Sequence, residues 1–358
     1  MSDFVYNKKK ISSVKRVRIP ENRDLIKGLR LNRNERVDNY PKGIYKKIFA
    51  NVFDYDLGKY PDQSKIYKLL SIFLKLNEKN FIISSGIDGS IKSIFEIFTD
   101  IGDKIGLLHP TYAMYEVYSN IFKTKLIKVK YSNFKLDRNN LYKIIKSKKI
   151  KILFIPNPNQ PIEDIISLKE MKKICSLCKK NKTLLVVDEA YFMFGSPTAA
   201  SLCKKNENLI ILRTLSKSFG LPSVRFGYVI GHEKIIKIFQ SYRLAYESNF
   251  FTDKVVEYFL KNFSIISNYI SKVQEGRNFL KKEVEKLNFK VIGEKSNFLL
   301  IDFKSQFMLK KILKRFKQKK IYVKSNYKGE LMNCILVTCG EKKTMKKLLK
   351  NIIQGIKK

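Results

Sequence analysis

From about residue 63 onward, the apolar positions of the chain follow two alternating spacings. Segments with apolar residues three and four positions apart predict helices, and short continuous apolar runs between them predict buried strands. The predicted helices span residues 63–75, 88–98, 112–121 and 167–180. The predicted strands span residues 81–84, 104–108, 125–130, 149–155, 183–187, 208–213 and 226–230. This alternation predicts an α/β fold in which helices cover both faces of a mostly parallel sheet.

The C-terminal part of the chain has a different pattern. A long helical stretch at about 251–288 is followed by strand patterns at 298–302, 321–324 and 334–338 and by helical patterns at about 305–317 and 342–356. This order predicts a smaller α+β domain. Residues 1–45 are polar and irregular. We therefore expect an N-terminal arm over 1–45, a large domain over 46–265 and a small domain over 266–358.

Length and composition indicate a globular protein. The chain has 358 residues, enough for about two domains, of which 44% are hydrophobic and 29% charged. A membrane-spanning helix needs about 18 or more apolar residues in succession, and the sequence has no such run. The first ten residues lack the apolar core of a signal peptide. We expect a cytoplasmic protein with no membrane partner.

The large positive charge raises nucleic-acid binding as an alternative function. The formal net charge is +40, from 72 Lys and Arg against 32 Asp and Glu. Only twelve of the basic residues are arginines, and the lysines are spread along most of the predicted helices. Basic runs on helices and loops are usually solvated faces. We expect no specific nucleic-acid partner, and adhesion to RNA or membrane surfaces only as a salt-sensitive side activity.

The cysteines do not predict a disulfide framework or a metal site. There are five, an odd number for a secreted framework, so we expect free thiols. Cys175 and Cys178 have the spacing of a zinc or redox pair, but they lie in a helical pattern and no second pair accompanies them. The chain has only two histidines to complete a ligand set. We therefore expect no metal.

The most informative motif is the run Thr-Leu-Ser-Lys-Ser-Phe-Gly-Leu-Pro-Ser-Val-Arg-Phe-Gly-Tyr at residues 214–228. A lysine that forms a Schiff base must be partly deprotonated, which burial and a neighbouring cation favour. For Lys217, Arg225 can supply that cation and can also grip a phosphate with its two-pronged guanidinium. The hydroxyls of Thr214 and Ser216 can donate two further hydrogen bonds to the same phosphate.

Two other segments place polar groups where open α/β sheets bind their ligands. The predicted strand 183–187 is followed by Asp188 and, three residues later, Tyr191. A carboxylate at the C-terminal end of a parallel strand lies at the ligand-binding edge of the sheet. The turn Ser-Ser-Gly-Ile-Asp-Gly-Ser at residues 84–90 joins a strand to a helix, so its backbone N–H groups offer an anion site.

Taken together, these motifs resemble the fold-type I aminotransferases of class I/II that use pyridoxal 5′-phosphate, and among them the histidinol-phosphate aminotransferase group. The resemblance covers roughly residues 29–345 and implies a mostly parallel sheet with a smaller α+β domain, to which the N-terminal arm is joined. It also implies catalytic roles for three residues. Lys217 would carry the cofactor, Asp188 would hold the proton of the pyridine nitrogen, and Tyr191 would contact the phenolic oxygen.

Further contacts with the cofactor follow from the same resemblance. The cofactor phosphate would be bound by Thr214, Ser216 and Arg225 together with Gly86, Ile87 and Asp88. In the run Pro-Thr-Tyr-Ala-Met-Tyr at residues 110–115, Tyr112 would stack on the pyridine ring. Lys-Tyr-Pro-Asp at residues 59–62 matches an element whose tyrosine, Tyr60, reaches the phosphate in the opposite subunit. The resemblance therefore implies a homodimer with shared sites.

The sequence departs from the family pattern at two motifs. The family's Asn-Pro-Thr-Gly is replaced by Asn-Pro-Asn-Gln-Pro-Ile-Glu-Asp at residues 157–164, so either Asn159 or Gln160 would make the asparagine contact. The family's Leu-Arg-Ile-Thr-x-Gly, whose arginine binds the anionic group of the substrate, is replaced by Ile-Leu-Val-Thr-Cys-Gly at 335–340. Leu336 occupies the position of that arginine, and Lys324 occupies a companion basic position.

We expect an aminotransferase that moves an amino group between small molecules, with phosphorylated or sugar-like amines as candidate substrates. The same scaffold also supports decarboxylation, as in threonine-phosphate decarboxylases, because the bond that stands perpendicular to the cofactor ring is the one that breaks. The motifs leave both reactions open. Without its arginine, the Leu336 position disfavours an ordinary α-amino acid in the usual pose. Lys324 and arginines of the arm, Arg33 or Arg36, are candidates for binding the substrate anion.

Overall fold

The structure is a computed structural model that describes residues 27–50, 58–147 and 149–357; the rest of the predicted arm lies outside these residues. The strands are β1 Leu29–Leu31, β2 Phe81–Ser84, β3 Lys104–His109, β4 Lys125–Ser132, β5 Lys135–Leu136, β6 Ile152–Pro156, β7 Leu184–Asp188, β8 Leu209–Thr214, β9 Gly227–Gly231, β10 Lys290–Ile292, β11 Phe298–Asp302, β12 Ile321–Val323 and β13 Cys334–Thr338. The α-helices are α1 Ile44–Ile48, α2 Ser64–Leu74, α3 Gly86–Phe98, α4 Met114–Ile121, α5 Arg138–Ser147, α6 Leu168–Lys180, α7 Glu233–Tyr242, α8 Phe250–Lys261, α9 Phe263–Glu285, α10 Gln306–Gln318 and α11 Lys342–Lys357.

The large sheet has eight strands in the order β2-β9-β8-β7-β6-β3-β4-β5. The strands from β8 through β7, β6 and β3 to β4 are parallel, while β2, β9 and β5 pair antiparallel with their neighbours. The predicted α/β fold with a mostly parallel sheet is confirmed. Because β7 and β8 are parallel neighbours, Asp188 and Thr214 end at the same edge of the sheet.

Alternate residues of the central strands face two separate apolar clusters. On β7, Leu185 and Val187 belong to one cluster and Val186 belongs to the other, and all three side chains are fully buried. A side-chain period of two sends successive residues to opposite faces of a sheet. Helices cover both faces, so the strands are apolar on both sides and read in sequence as continuous apolar runs.

The C-terminal part forms a three-stranded antiparallel sheet in the order β10-β11-β13, and β12 pairs in parallel with β1 of the arm. The long helical stretch expected at about 251–288 consists of the two helices α8 and α9. They meet at Asn262, whose backbone is not helical (φ −114°, ψ 49°) and whose side-chain amide donates to the Tyr258 carbonyl. The domain boundaries expected at residues 45 and 265 stay a prediction.

All five cysteines are buried and free. Cys175 and Cys178 lie on the inner face of α6, where burial raises the pKa of both thiols, to about 11 for Cys175 and about 12 for Cys178. They therefore behave as small apolar core residues. Within the described residues, none of the helices combines the length and apolar character that crossing a membrane requires.

One glycine allows α9 to approach the loop that precedes α11. A Cβ atom added at Gly276 would lie 2.0 Å from the carbonyl oxygen of Gly340. Because that obstacle is backbone, we expect Gly276→Ala to destabilise the fold by roughly 1–3 kcal/mol or more, measured by urea denaturation. Gly89→Ala is the matched control, since a Cβ at this helical glycine would be 3.4 Å from the nearest atom, the Ser85 Cβ. Equal stability of the two variants would contradict the packing argument.

Candidate active site

A cavity of about 740 Å³ lies where β6, β7 and β8 end, beside the start of α3 and the arm. Most of the side chains singled out from the sequence line it. They are Ile87, Asp88, Tyr112, Asp188, Tyr191, Thr214, Ser216, Lys217, Arg225 and Lys324. The remaining predicted residues, Gly86, Asn159, Leu336 and Tyr60, are not among those that line it. Several distant segments of the sequence thus contribute to a single cavity.

Lys217 lies in the loop after β8, where its amine faces the cavity. The pKa of this amine is lowered to about 8, chiefly by burial; Glu35 and Asp188 oppose the shift, and Arg225 adds to it. The Nζ atom donates to the backbone carbonyls of Arg33 and Asn34, at 3.3 and 3.2 Å. A substantial fraction of such an amine is neutral near pH 8, the form that acts as a nucleophile or takes up a proton.

Asp188 ends β7 and is almost fully buried. Burial raises the pKa of its carboxyl to about 6, against the effect of two hydrogen bonds. Its Oδ2 accepts from the Tyr115 hydroxyl at 2.6 Å, and its Oδ1 accepts from the Ala190 backbone N–H at 3.0 Å. A carboxylate held in this way faces the cavity as a fixed negative charge at neutral pH.

The Tyr191 hydroxyl joins the arm to the loop after β6. It accepts a hydrogen bond from Asn34 Nδ2 at 2.9 Å and donates to Gln160 Oε1 at 3.1 Å. Gln160 lines the cavity. Asn159 is fully buried beside it and uses its amide nitrogen to donate to the carbonyls of Pro110 and Ile162. Of the two residues left open by the sequence, Gln160 is therefore the one that reaches the cavity.

The part of the cavity wall formed by Thr214, Ser216 and Arg225 is suited to binding an anion. Thr214 Oγ1 donates to Ser216 Oγ at 2.9 Å, and both hydroxyls line the wall. The guanidinium of Arg225 lies against Gly86, the first residue of α3, where an added Cβ would be 2.9 Å from Arg225 Nη2. The positive φ of Gly86 (71°) also requires glycine. Hydroxyls, a guanidinium and the start of a helix thus contribute to the wall of one cavity, a combination suited to binding an anion.

The two predicted aromatic contacts lie in different surroundings. Tyr112 lines the cavity and meets the ring of Tyr115 edge to face, with 6.1 Å between centroids. Tyr60 is 77% exposed and stacks on Tyr246, with 4.5 Å between centroids. Tyr60 therefore points to the outer surface of its own chain.

The position of the missing arginine is directly opposite the lysine that we expect to bind substrate. Lys324 and Leu336 exchange both backbone hydrogen bonds, with N–O distances of 3.1 and 2.8 Å. Leu336 is fully buried, whereas Lys324 lines the cavity, where burial lowers the pKa of its amine. Arg33 also lines the cavity, but Arg36 is stacked between the rings of Tyr40 and Tyr269. Of the residues expected to bind the substrate anion, Lys324 and Arg33 therefore line the cavity.

Two residues at this site were not recognised in the sequence. The sequence shows Tyr115 only as the second tyrosine of the run at 110–115, and Asn34 only as one polar residue of the N-terminal arm. Asn34 is buried with φ 54°, and its backbone N–H donates to Thr338 Oγ1 at 2.8 Å. It therefore links the arm to β13, to Tyr191 and to Lys217.

Known proteins resemble this chain both in sequence and in structure. The family described as "Aminotransferase class I and II" matches residues 57–352. Histidinol-phosphate aminotransferase from Clostridium novyi (strain NT) is 30% identical over 263 residues, which cover 73% of each chain. The enzyme of the same name from Thermoanaerobacter sp. (strain X514) is 31% identical over 261 residues, or 72% of this chain and 73% of the other.

Solved structures share the fold at lower sequence identity. Histidinol-phosphate aminotransferase from Sinorhizobium meliloti, in complex with pyridoxal 5′-phosphate, superposes with a TM-score of 0.88 at 19% identity and covers 99% of both chains. L-threonine-O-3-phosphate decarboxylase from Porphyromonas gingivalis has a TM-score of 0.75 at 15% identity, covering 92% of this chain and all of the other. The family match, which spans most of the chain, decides the class: the protein is a pyridoxal 5′-phosphate-dependent aminotransferase of the class I and II family.

Proposed function

We propose that the protein is a histidinol-phosphate aminotransferase-like enzyme in which Lys217 holds the cofactor and a small amine, phosphorylated amines included, is the substrate. The observation that carries this proposal is the placement of Lys217 and Asp188 on the walls of a single cavity. One is an amine whose pKa is lowered to about 8, and the other is a buried carboxylate. Such perturbed pairs in a cleft mark functional sites.

The residues present fit pyridoxal 5′-phosphate. When bound, the cofactor supplies a carbonyl carbon that takes up the amino group and a ring that accepts electrons. We assign the phosphate to the end of the cavity formed by Thr214, Ser216, Arg225 and the start of α3, where a Cβ at Gly86 would fill the space beside the guanidinium. Asp188 would face the pyridine nitrogen, and Tyr191 with Gln160 would face the phenolic oxygen.

Lys217 has two tasks in this proposal. It would hold the cofactor covalently, and after its release by the incoming amine its neutral Nζ would accept the proton from the substrate Cα. Both tasks need a neutral amine, which burial and Arg225 favour. The carbonyls of Arg33 and Asn34 accept hydrogen bonds from Nζ and so orient the amine toward the cavity.

The substrate anion would meet Lys324 and Arg33 rather than the arginine that the family carries at the Leu336 position. Lysine is a compact point charge, so it lacks the two-pronged grip of a guanidinium. Decarboxylation of a phosphorylated amino acid is the alternative reaction on this scaffold. Its support here is the fold alone, because the Porphyromonas gingivalis decarboxylase is 15% identical to this chain.

A homodimer with shared sites is part of the proposal. It is supported by the exposed Tyr60–Tyr246 stack and by a neighbouring exposed leucine, Leu244. Exposed aromatic residues grouped on one surface are typical of interfaces. A reducing compartment such as the cytoplasm is supported by the five free thiols.

The covalent attachment can be tested by chemical trapping. We expect borohydride to fix the cofactor to the peptide that contains Lys217, because reduction converts a carbon–nitrogen double bond into a stable amine. The mass shift should be confined to that peptide and should be absent in Lys217→Arg. Labelling of another lysine, or no labelling after addition of cofactor, would overturn the assignment.

Shared active sites can be tested by complementation. Each of Lys217→Ala and Tyr60→Ala should be inactive alone, but after subunit exchange a hybrid dimer contains one intact site. An equal mixture should recover roughly a quarter of wild-type activity. Lys217→Ala mixed with Asp188→Ala is the control and should recover none, because both residues serve the site of their own chain. If exchange is verified and activity stays absent, Tyr60 does not serve the partner's site.

The role of Leu336 can be tested by substrate profile. We expect wild type to turn over glutamate and aspartate poorly relative to histidinol phosphate and other phosphorylated amines, since without an arginine at position 336 a desolvated carboxylate lacks an ion pair worth several kcal/mol. Leu336→Arg should raise kcat/KM for the carboxylic substrates, with Leu336→Met as the control for packing. Ordinary turnover of glutamate by wild type, unchanged by the arginine, would assign the anion contact to another residue.

A further inference from the structure

The charge of Asp188 depends on two hydrogen-bond donors. One donor is the backbone N–H of Ala190, and the other is the side-chain hydroxyl of Tyr115, at 2.6 Å from Oδ2. Both favour the ionised carboxylate, whereas burial and the neighbouring Glu189 favour the neutral acid. The balance leaves the pKa of Asp188 at about 6. Of the two donors, only Tyr115 is a side chain whose donor can be removed by substitution.

Packing fixes the Tyr115 ring so that its hydroxyl donates to the Asp188 carboxylate. It is fully buried on α4, and its ring lies 4.9 Å from that of Phe154 on β6 and 6.1 Å from that of Tyr112. Burial raises the pKa of the phenol well above its ordinary value, so the hydroxyl keeps its proton and remains a donor. A phenylalanine would make the same ring contacts, so the packing of α4 does not account for the hydroxyl.

We propose that Tyr115 is a positioning residue that holds the Asp188 carboxylate ionised and correctly oriented for the pyridine nitrogen, without itself touching the cofactor. Tyr115 is not among the residues that line the cavity, whereas Tyr112, three positions earlier, is. Tyr112 precedes α4, and its ring meets that of Tyr115 edge to face, so the two side chains are neighbours although only Tyr112 lines the cavity. The motif at 110–115 therefore serves the cofactor twice, through a ring at the wall and through a hydroxyl behind Asp188. This inference rests on the proposed role of Asp188.

The test uses two ligands that differ only at the ring nitrogen. Pyridoxamine 5′-phosphate binds without a covalent bond to Lys217, and its 1-deaza analogue has a C–H group in place of the nitrogen. We expect Tyr115→Phe to weaken binding of pyridoxamine 5′-phosphate by roughly tenfold or more, as for loss of a hydrogen bond to a charged group. Binding of the analogue should change less than about twofold. Dissociation constants are measured on the same protein sample.

A double-mutant cycle with Asp188→Asn separates this role from general packing. In the Asp188→Asn background, Tyr115→Phe should add less than about a twofold loss, because the carboxylate through which it acts is gone. Tyr269→Phe is the control, since it removes another buried tyrosine hydroxyl that does not line the cavity. The ratio of the two ligand affinities cancels any unfolded fraction, so it remains the measurement if a variant is unstable.

The outcomes distinguish this inference from the proposal on which it rests. Equal losses for both ligands, unchanged binding in Tyr115→Phe, or a full loss that persists in the Asp188→Asn background would each overturn the positioning role. If Asp188→Asn itself leaves binding of pyridoxamine 5′-phosphate unchanged, the assignment of Asp188 fails instead. If Asp188→Asn weakens binding and Tyr115→Phe does not, only the inference about Tyr115 is wrong.

Discussion

The site depends on keeping one carboxylate charged inside the protein. Burial favours the neutral form of Asp188 at the end of β7. The compensation comes from two hydrogen bonds and from Lys217, whose positive charge lowers the pKa of Asp188. The effect is mutual, since Asp188 raises the pKa of Lys217 against the effect of burial. Burial moves the pKa values of both groups toward neutrality, and their mutual attraction opposes that shift. Asp188 therefore stays largely ionised at neutral pH, while Lys217 can give up its proton near pH 8.

The arm completes the cavity rather than merely covering it. Through Asn34 it donates to Tyr191 and accepts from Lys217, while the amide of Asn297 donates to the Asn34 carbonyl. One residue therefore fixes groups from the large sheet and from the small C-terminal sheet at once. Its positive φ of 54° is tolerated because asparagine adopts the left-handed region more readily than most residues. Movement of the arm would disturb the lysine and the tyrosine together.

The sequence predicts those parts of the structure that depend on residues close together in the chain. It does not predict contacts between residues that are far apart in the chain. Buried strands were recognised because helices cover both faces and leave continuous apolar runs, and motif residues were recognised because each motif is contiguous. Helices α5 and α7 were not predicted, although their apolar residues have helical spacing. Each of them spans only 10 residues. The bond from Tyr115 to Asp188 joins residues 73 positions apart, and that from Asn34 to Tyr191 joins residues 157 apart. No local pattern encodes such pairs; only the topology of the sheet brings them together.

The two departures from the family pattern have different physical consequences. In the loop after β6, the carboxylate of Glu163 accepts from the backbone N–H groups of Glu294 and Lys295 and from the Ser296 hydroxyl. That loop is therefore held to the turn between β10 and β11. At the second departure, no polar contact replaces the family's arginine. The Leu336 side chain is apolar and fully buried, and its backbone pairs with that of Lys324. Lys324 lines the cavity together with the carboxylate of Glu35. In the proposed function this lysine would meet the substrate anion as a point charge, which would select substrates by net charge more than by the planar shape of a carboxylate. On that proposal, the position would govern specificity more than reaction type.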